Sequence, residues 1–384
     1  MIDIDRGETM VLKKVMQKAK QDVVLTAAWV LAVGSAFLIP PDQQYIEYLD
    51  GKTLGLLFCL MTIMGGLQNL GFFTRIGSRF IRCVKSTVSL SASLIFLCFF
   101  SSMVITNDVA LITFVPFTMV ILSMVEKKEY MVPIVTMQTI AANLGSMVTP
   151  IGNPQNLYLY SRMDLGLFPF MGIMLPYAVV TGGMLALFLA MQKKENIRHV
   201  EVVLQEQIRK PAKEWMYGGL FLLSVGVIAG VLPISAVFVI TVLVTACFDR
   251  TAFRKVDYGL LLTFIGFFIF IGNMKRIPQF SSLLSSFLQG NEVVTAVLTS
   301  QVISNVPSAL LLSGFTDQTR ELVIGTNLGG LGTLIASMAS LISYKQVVRE
   351  APQQKGRYLA YFTGANLIFL AVLLGQYFLM NSIM

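Results

Sequence analysis

Apolar stretches recur along the whole chain, and most match the roughly 20 residues a helix needs to cross the hydrocarbon core of a bilayer. Full crossings are read at 23–39, 53–73, 131–160, 167–191, 215–232, 234–248, 258–274, 320–348 and 358–380. Two more apolar stretches, 88–125 and 291–316, are broken by polar residues in their middle. The first is too long for one span, and the second carries Ser304, Asn305 and Pro307 at its centre. Each is expected to be a re-entrant hairpin that enters and leaves by the same face. The expected fold is therefore an all-α polytopic membrane protein with about nine full spans and two re-entrant helical hairpins.

Composition excludes the main alternatives. Of 384 residues, 55% are hydrophobic and 13% charged, against about 25% charged in an ordinary soluble domain. Most of such a surface cannot face water, which argues against a soluble enzyme and a disordered chain. The net charge of +8 is explained by basic cytoplasmic loops, so no nucleic-acid partner is expected. The four cysteines, Cys59, Cys83, Cys98 and Cys247, show no CxxC spacing and read as small apolar filler. His199 is the single histidine, too few for a histidine-based zinc site, a Ser-His-Asp triad or an HExxH helix. Neither enzyme chemistry nor a cofactor is expected. The polar first twenty residues carry no signal-peptide pattern.

Charge also orients the chain. With residues 1–22 in the cytoplasm, the inner segments hold 24 of the 29 Lys and Arg, and the outer ones hold Lys52, Arg162, Lys275, Arg276 and Arg320. The amino terminus is thus expected inside and the carboxyl terminus outside a cell (inner or plasma) membrane. The basic stretch 74–87 spaces its charges as an interfacial helix would, and 192–214 reads as a solvated cytoplasmic linker. Of the 21 acids, Asp108 alone falls in the middle of an apolar stretch, that of the first hairpin.

The two halves resemble each other in three blocks, in the same order. Gly55–Asn69 matches Gly259–Asn273, Thr106-Asn107-Asp108 matches Ser304-Asn305-Val306, and Asn143 through Thr149 matches Asn327 through Thr333. The offsets are 204, 198 and 184. Corresponding elements run in opposite directions, because the span at 215–232 turns the second half over. The expected organisation is a first repeat at 23–191 and a second, inverted repeat at 233–384, the plan of secondary transporters with sites near the midplane.

The polar interruptions carry the chemistry. An ionised carboxylate at a helix centre costs about 2.5–3.5 kcal/mol even on the mild insertion scale. Asp108 is therefore expected to bind a coupling ion or carry a proton, or else to cap a helix starting at Val109. In 131–160, Pro150 and Pro154 break the helix while Gly145, Gly152 and Asn153 permit unusual dihedrals. Freed carbonyls in such a break can coordinate Na⁺. Asn327 to Thr333, with Gly329, Gly330 and Gly332, is the second candidate break. Ser337 and Ser340 are expected to bond back to their own helix.

TNDVALITFVPF (106–117), ANLGSMVTPIGNPQN (142–156) and SNVPSALLLSGFT (304–316) resemble signatures of the ion transporter superfamily. That group takes in citrate-transporter-like permeases, divalent-anion/sodium symporters, arsenite efflux permeases and NhaD-type sodium/proton antiporters. The resemblance implies an elevator-type carrier, commonly a homodimer, whose hairpin tips and broken helices hold substrate and Na⁺. The symporters carry Ser-Asn-Thr at each tip, so Thr106, Asn107, Ser304 and Asn305 match by position. Asp108 stands where the symporters have Thr, and Val306 removes the second hydroxyl. Asn-Asp at this point looks more like the arsenite permeases and sodium/proton antiporters.

The combined expectation is a secondary carrier for a small anion, a di- or tricarboxylate or an inorganic oxyanion, coupled to Na⁺ or H⁺. Substrate contacts are expected at Asn107, Asp108, Thr149, Pro150, Asn305, Val306 and Thr333. Coupling-ion contacts are expected at Thr106, Asn107, Asp108, Asn143, Gly152, Asn153, Ser304, Asn305 and Asn327, with Na⁺ at Thr106, Asn107, Gly152, Ser304 and Asn305. The alternative is an antiporter or efflux permease that uses Asp108 for the ion or proton.

Overall fold

The computed structural model of the chain describes residues 23–81, 84–163, 165–197 and 210–383. The expected cytoplasmic segment 1–22, Cys83, His199 and part of the 192–214 linker lie outside the described residues. The described residues form eighteen α-helices, in order α1 Val23–Leu38, α2 Gln44–Glu47, α3 Gly51–Asn69, α4 Phe72–Ile81, α5 Thr87–Ser101, α6 Asn107–Met124, α7 Met131–Ser146, α8 Pro154–Ser161, α9 Leu167–Ala190, α10 Pro211–Ile228, α11 Ile234–Phe248, α12 Tyr258–Lys275, α13 Pro278–Leu288, α14 Glu292–Ile303, α15 Asn305–Leu312, α16 Thr319–Leu328, α17 Met338–Glu350 and α18 Lys355–Ile383. Among the described residues no strand forms, and the protein is an all-helical, multi-pass membrane protein.

Among the described residues, five segments are long and apolar enough to cross a bilayer: α3, α6, α9, α12 and the stretch Pro352–Ser382. The other apolar helices are shorter, α1 at 16 residues and α5 and α11 at 15 each. At 1.5 Å per residue these reach about 24 Å, short of a full crossing without their flanks. The span read at 215–232 is α10, which starts earlier, with Pro211 at its first turn, and ends ahead of Gly230 at φ 76°. Proline fits that position because its missing N–H has no partner there in any helix.

The long helices divide by what surrounds them. The spans in α3, α6 and α12 are 61%, 56% and 56% buried, whereas those in α9 and Pro352–Ser382 are 33% buried. The first three pack inside, and the last two turn faces such as Phe168, Val179, Leu187 and Leu379 outward. α7 lies at the centre, buried from Met131 to Ser146 except at Pro133, and is packed by α5, α6, α17 and α18.

α4 behaves as the charge spacing suggests. Phe73, Gly77 and Ile81 are buried one turn apart, which leaves Arg75 and Arg79 on the other face. The start of the 192–214 linker is not free in solvent. Thr87 N donates to Glu195 O at 2.9 Å, and Thr87 Oγ1 donates to Lys193 O at 2.9 Å. Lys127 bonds the Glu195 side chain, and that bond holds the Glu195 carboxyl below its ordinary range. The linker's first residues are thereby clasped to the open ends of the first hairpin.

Candidate functional site

The polar centre of 88–125 is a helix break between α5 and α6, and that of 291–316 is a break at Ser304, which sits at φ 73°. The stretches 131–160 and 320–348 are also interrupted, between α7 and α8 and between α16 and α17. Each break leaves backbone groups to be satisfied, and the hairpins satisfy them. Asn107 N donates to Gly152 O at 3.0 Å, and Asn305 N donates to Ala336 O at 2.9 Å. Thr149 Oγ1 donates to Met103 O at 2.6 Å, and Thr333 Oγ1 donates to Gln301 O at 3.4 Å. Gln301 carries more of the load in the second half, through Gly329 O, Leu331 O and Thr333 N.

The two breaks are also bonded to each other. Asn153 Nδ2 donates to Asn327 Oδ1 at 3.0 Å, and Ser337 Oγ donates to Asn143 Oδ1 at 3.2 Å. Asn327 Nδ2 donates to Asn156 Oδ1 at 2.6 Å, and Asn143 Nδ2 donates to Ser340 Oγ at 3.3 Å. Every member of this cluster is buried. Ser337 and Ser340 therefore reach across to Asn143 instead of only back-bonding, a partner visible only once the chain folds.

Asp108 is not the helix cap. α6 starts at Asn107, and Thr106 caps it by accepting from Val109 N, while Asn107 Oδ1 accepts from Asp108 N at 2.9 Å. A Thr already in the extended Ncap conformation, with φ −65° and ψ 149°, takes the role. The Asp108 carboxylate takes no part in the cap and lies in the first turn, where the positive helix end favours an anion. It lines a cavity of about 550 Å³ together with Thr106, Asn153, Gln68, Lys255, Asp257 and Lys345. The remaining walls are largely apolar and include Leu57, Leu60, Met61, Ile112 and Leu341.

The expected residues separate into three groups. Thr106, Asp108 and Asn153 face the cavity. Asn107, Asn143 and Asn327 lie in the buried bonding network, Gly152 accepts from the first tip, and Pro150 is buried beside it. The second tip does not line this cavity. Ser304, Asn305 and Val306 are buried against their own break, and Thr333 is exposed. Lys255, Asp257 and Lys345 were counted in the sequence only as cytoplasmic charges. For Lys345 a signal existed, since Met338, Leu341, Ile342 and Lys345 share the spacing of one helix face.

Interrupted helices bonded at their breaks, around a cavity that holds a carboxylate in an apolar multi-pass fold, are the arrangement of a membrane transporter. The chain belongs to the citrate transporter family, whose sequence pattern matches residues 14–320. That match takes in both hairpins and the first break, and it agrees with the resemblance read from the three motifs. An uncharacterized transporter of Methanocaldococcus jannaschii is 33% identical over 309 residues, 79% of this chain and 83% of that one. The inner membrane protein YbiR of Escherichia coli is 29% identical over 333 residues, 82% of this chain and 85% of that one. A silicon efflux transporter of rice, Oryza sativa subsp. japonica, is 29% identical over 168 residues, 41% of this chain and 32% of that one.

Proposed function

We propose that the protein is a secondary active carrier of a small anion, such as a di- or tricarboxylate or an inorganic oxyanion, coupled to Na⁺ or H⁺ at Asp108. The observation that carries this reading is the placement of the one acid at the middle of an apolar stretch. Asp108 opens into the cavity beside Thr106 and Asn153, at the contact between the first hairpin tip and the first break.

Two inverted repeats account for the bonding pattern. Asn107 to Gly152 becomes Asn305 to Ala336 under the offsets 198 and 184. The cross-links exchange in the same way, since Asn153 to Asn327 becomes Ser337 to Asn143, and Asn327 to Asn156 becomes Asn143 to Ser340. The family assignment favours an elevator-type homodimer of the cell membrane, with the amino terminus inside. The test is uptake by proteoliposomes. Asp108→Asn is expected to abolish Na⁺- or H⁺-coupled uptake while the protein stays folded, and uptake at the wild-type rate would remove Asp108 from the mechanism.

A second reading, cation/proton antiport or efflux, draws on Asp257, which shares the cavity with Asp108 and would give a cation two carboxylates. The rice relative's name, a silicon efflux transporter, points in the same direction of transport. Under this reading vesicles exchange Na⁺ for H⁺ without added anion. A thermal-shift screen against Na⁺, pH, citrate, succinate, sulfate and arsenite separates the two, because a ligand of the folded state raises its melting temperature.

A further inference from the structure

We propose that Lys255 and Lys345 are the residues that hold the transported anion in the Asp108 cavity. The inference rests on the reading above that a small anion is carried, and it assigns that anion's recognition to two side chains outside both hairpins and both breaks.

The charges lining the cavity are Asp108 at the first tip, Lys255 and Asp257 in the segment before α12, and Lys345 on α17. Asp257 already has a structural task, since its carboxylate caps α12 by accepting from Leu260 N at 3.0 Å. Neither lysine forms an ion pair within 4 Å among the described residues. Both are exposed at the mouth of a cavity whose deeper walls are largely apolar. Low-dielectric walls focus the field of such charges on whatever enters. An ammonium offers three donors to carboxylate or oxyanion oxygens without fixing their geometry.

Position supports the assignment on both elements. On α17 the helix face of Met338, Leu341, Ile342 and Lys345 lines the cavity, which carries the lysine to its mouth. Lys255 is set by α3. A Cβ built on Gly65 would stand 2.5 Å from Lys255 Cβ, so a glycine is needed for the lysine stem to lie against that helix. With both carboxylates ionised the four charges sum to zero, and a monovalent cation at Asp108 leaves a net positive cavity. Cation and anion occupancy therefore favour each other, and linkage makes that effect reciprocal.

The test uses the full chain in proteoliposomes with citrate, succinate and sulfate as probes, under a Na⁺ gradient in one arm and a pH gradient in the other. For the anion that the wild type takes up, Lys255→Gln and Lys345→Gln each raise the half-saturation concentration by about tenfold or more, the worth of one charge-assisted bond. Maximal rates change little, and the Arg variants recover most of the affinity. Gly65→Ala displaces the Lys255 stem without removing its charge. It raises the half-saturation concentration as well, and adds nothing further in a Lys255→Gln background. Melting temperatures without anion separate a folding loss from a binding loss. Unchanged half-saturation in both folded Gln variants overturns the proposal and leaves the anion carrier standing. Wild-type vesicles that move Na⁺ or H⁺ but none of the anions overturn the carrier reading, and this proposal with it.

Discussion

Asn327 shows how much a single amide does here. Its Nδ2 donates to Asn156 and to Val323 O, and its Oδ1 accepts from Asn153. Asn327→Ala leaves buried polar groups of Asn153 and Asn156 short of a partner. The expected loss is about 1–3 kcal/mol of stability, toward the low end because groups unfolded within a membrane also find partners. A melting curve in detergent checks it, and an unchanged transition would mean the two breaks do not hold each other. Ser337→Ala, which removes a single bond to Asn143, is expected to lose less. Sequence alone singled out Asn143, Asn153 and Asn327, because several amides in an apolar stretch have few other reasons to be there. Their pairing was not legible, since a partner 174 residues away leaves no mark on local spacing. The carboxylate of Asp108 was legible for the same reason as the amides, but its release by the Thr106 cap depended on backbone angles that composition does not encode.

At the scale of elements, two glycines set how closely hairpin and broken helix approach. A Cβ on Gly145 of α7 would lie 2.1 Å from Phe99 O and 2.6 Å from Ser102 Oγ. One on Gly329, its counterpart by the 184 offset, would meet Ser300 Oγ at 2.6 Å. Ser102 and Ser300 are themselves related by the 198 offset of the hairpins, so the same packing recurs in both halves. Gly145→Ala must push a backbone carbonyl, which does not yield, and is expected to cost about 1–3 kcal/mol as overpacking. Gly329→Ala meets a hydroxyl first and its nearest backbone carbonyl, Gly325 O, only at 2.8 Å, so it is expected to cost less. Unchanged thermal unfolding in both variants would mean that the approach is not set by these glycines. The helix breaks after Ser101 and at Ser304 could be read from the chain because polar residues interrupt an apolar run. The helix at Phe72–Ile81 could be read from the spacing of its charges, whereas the one at Pro278–Leu288 could not, since it borders a longer apolar stretch and carries no charge.

For the whole molecule, α8 and α12 connect two cavities. Leu157 and Leu260 line the one that holds Asp108, while Tyr158, Arg162, Phe268 and Lys275 line a second of about 320 Å³ at the other ends of the same helices. Between them Tyr158 packs on Phe264 and Phe268, with ring centroids 6.2 and 5.6 Å apart, and its hydroxyl bonds Ser313 at 2.8 Å. Lys255 and Lys345 are exposed and line the Asp108 cavity, so the conformation described opens it to the side they mark. On the orientation we propose from the distribution of Lys and Arg, that side faces the cytoplasm. Met338 lines the Asp108 cavity, and Ser282 lies exposed on α13, in the segment read as external. In a background lacking the native cysteines, Met338→Cys is expected to react with a membrane-impermeant maleimide in inside-out vesicles, and Ser282→Cys in right-side-out ones. Reaction of Met338→Cys from the outside is expected only during turnover, with substrate and coupling ion both present, because a carrier must expose one site to each side in turn. Outside labelling at rest would reverse the orientation. Labelling from one side alone during measured uptake would mean that solute never passes the cavity at Asp108.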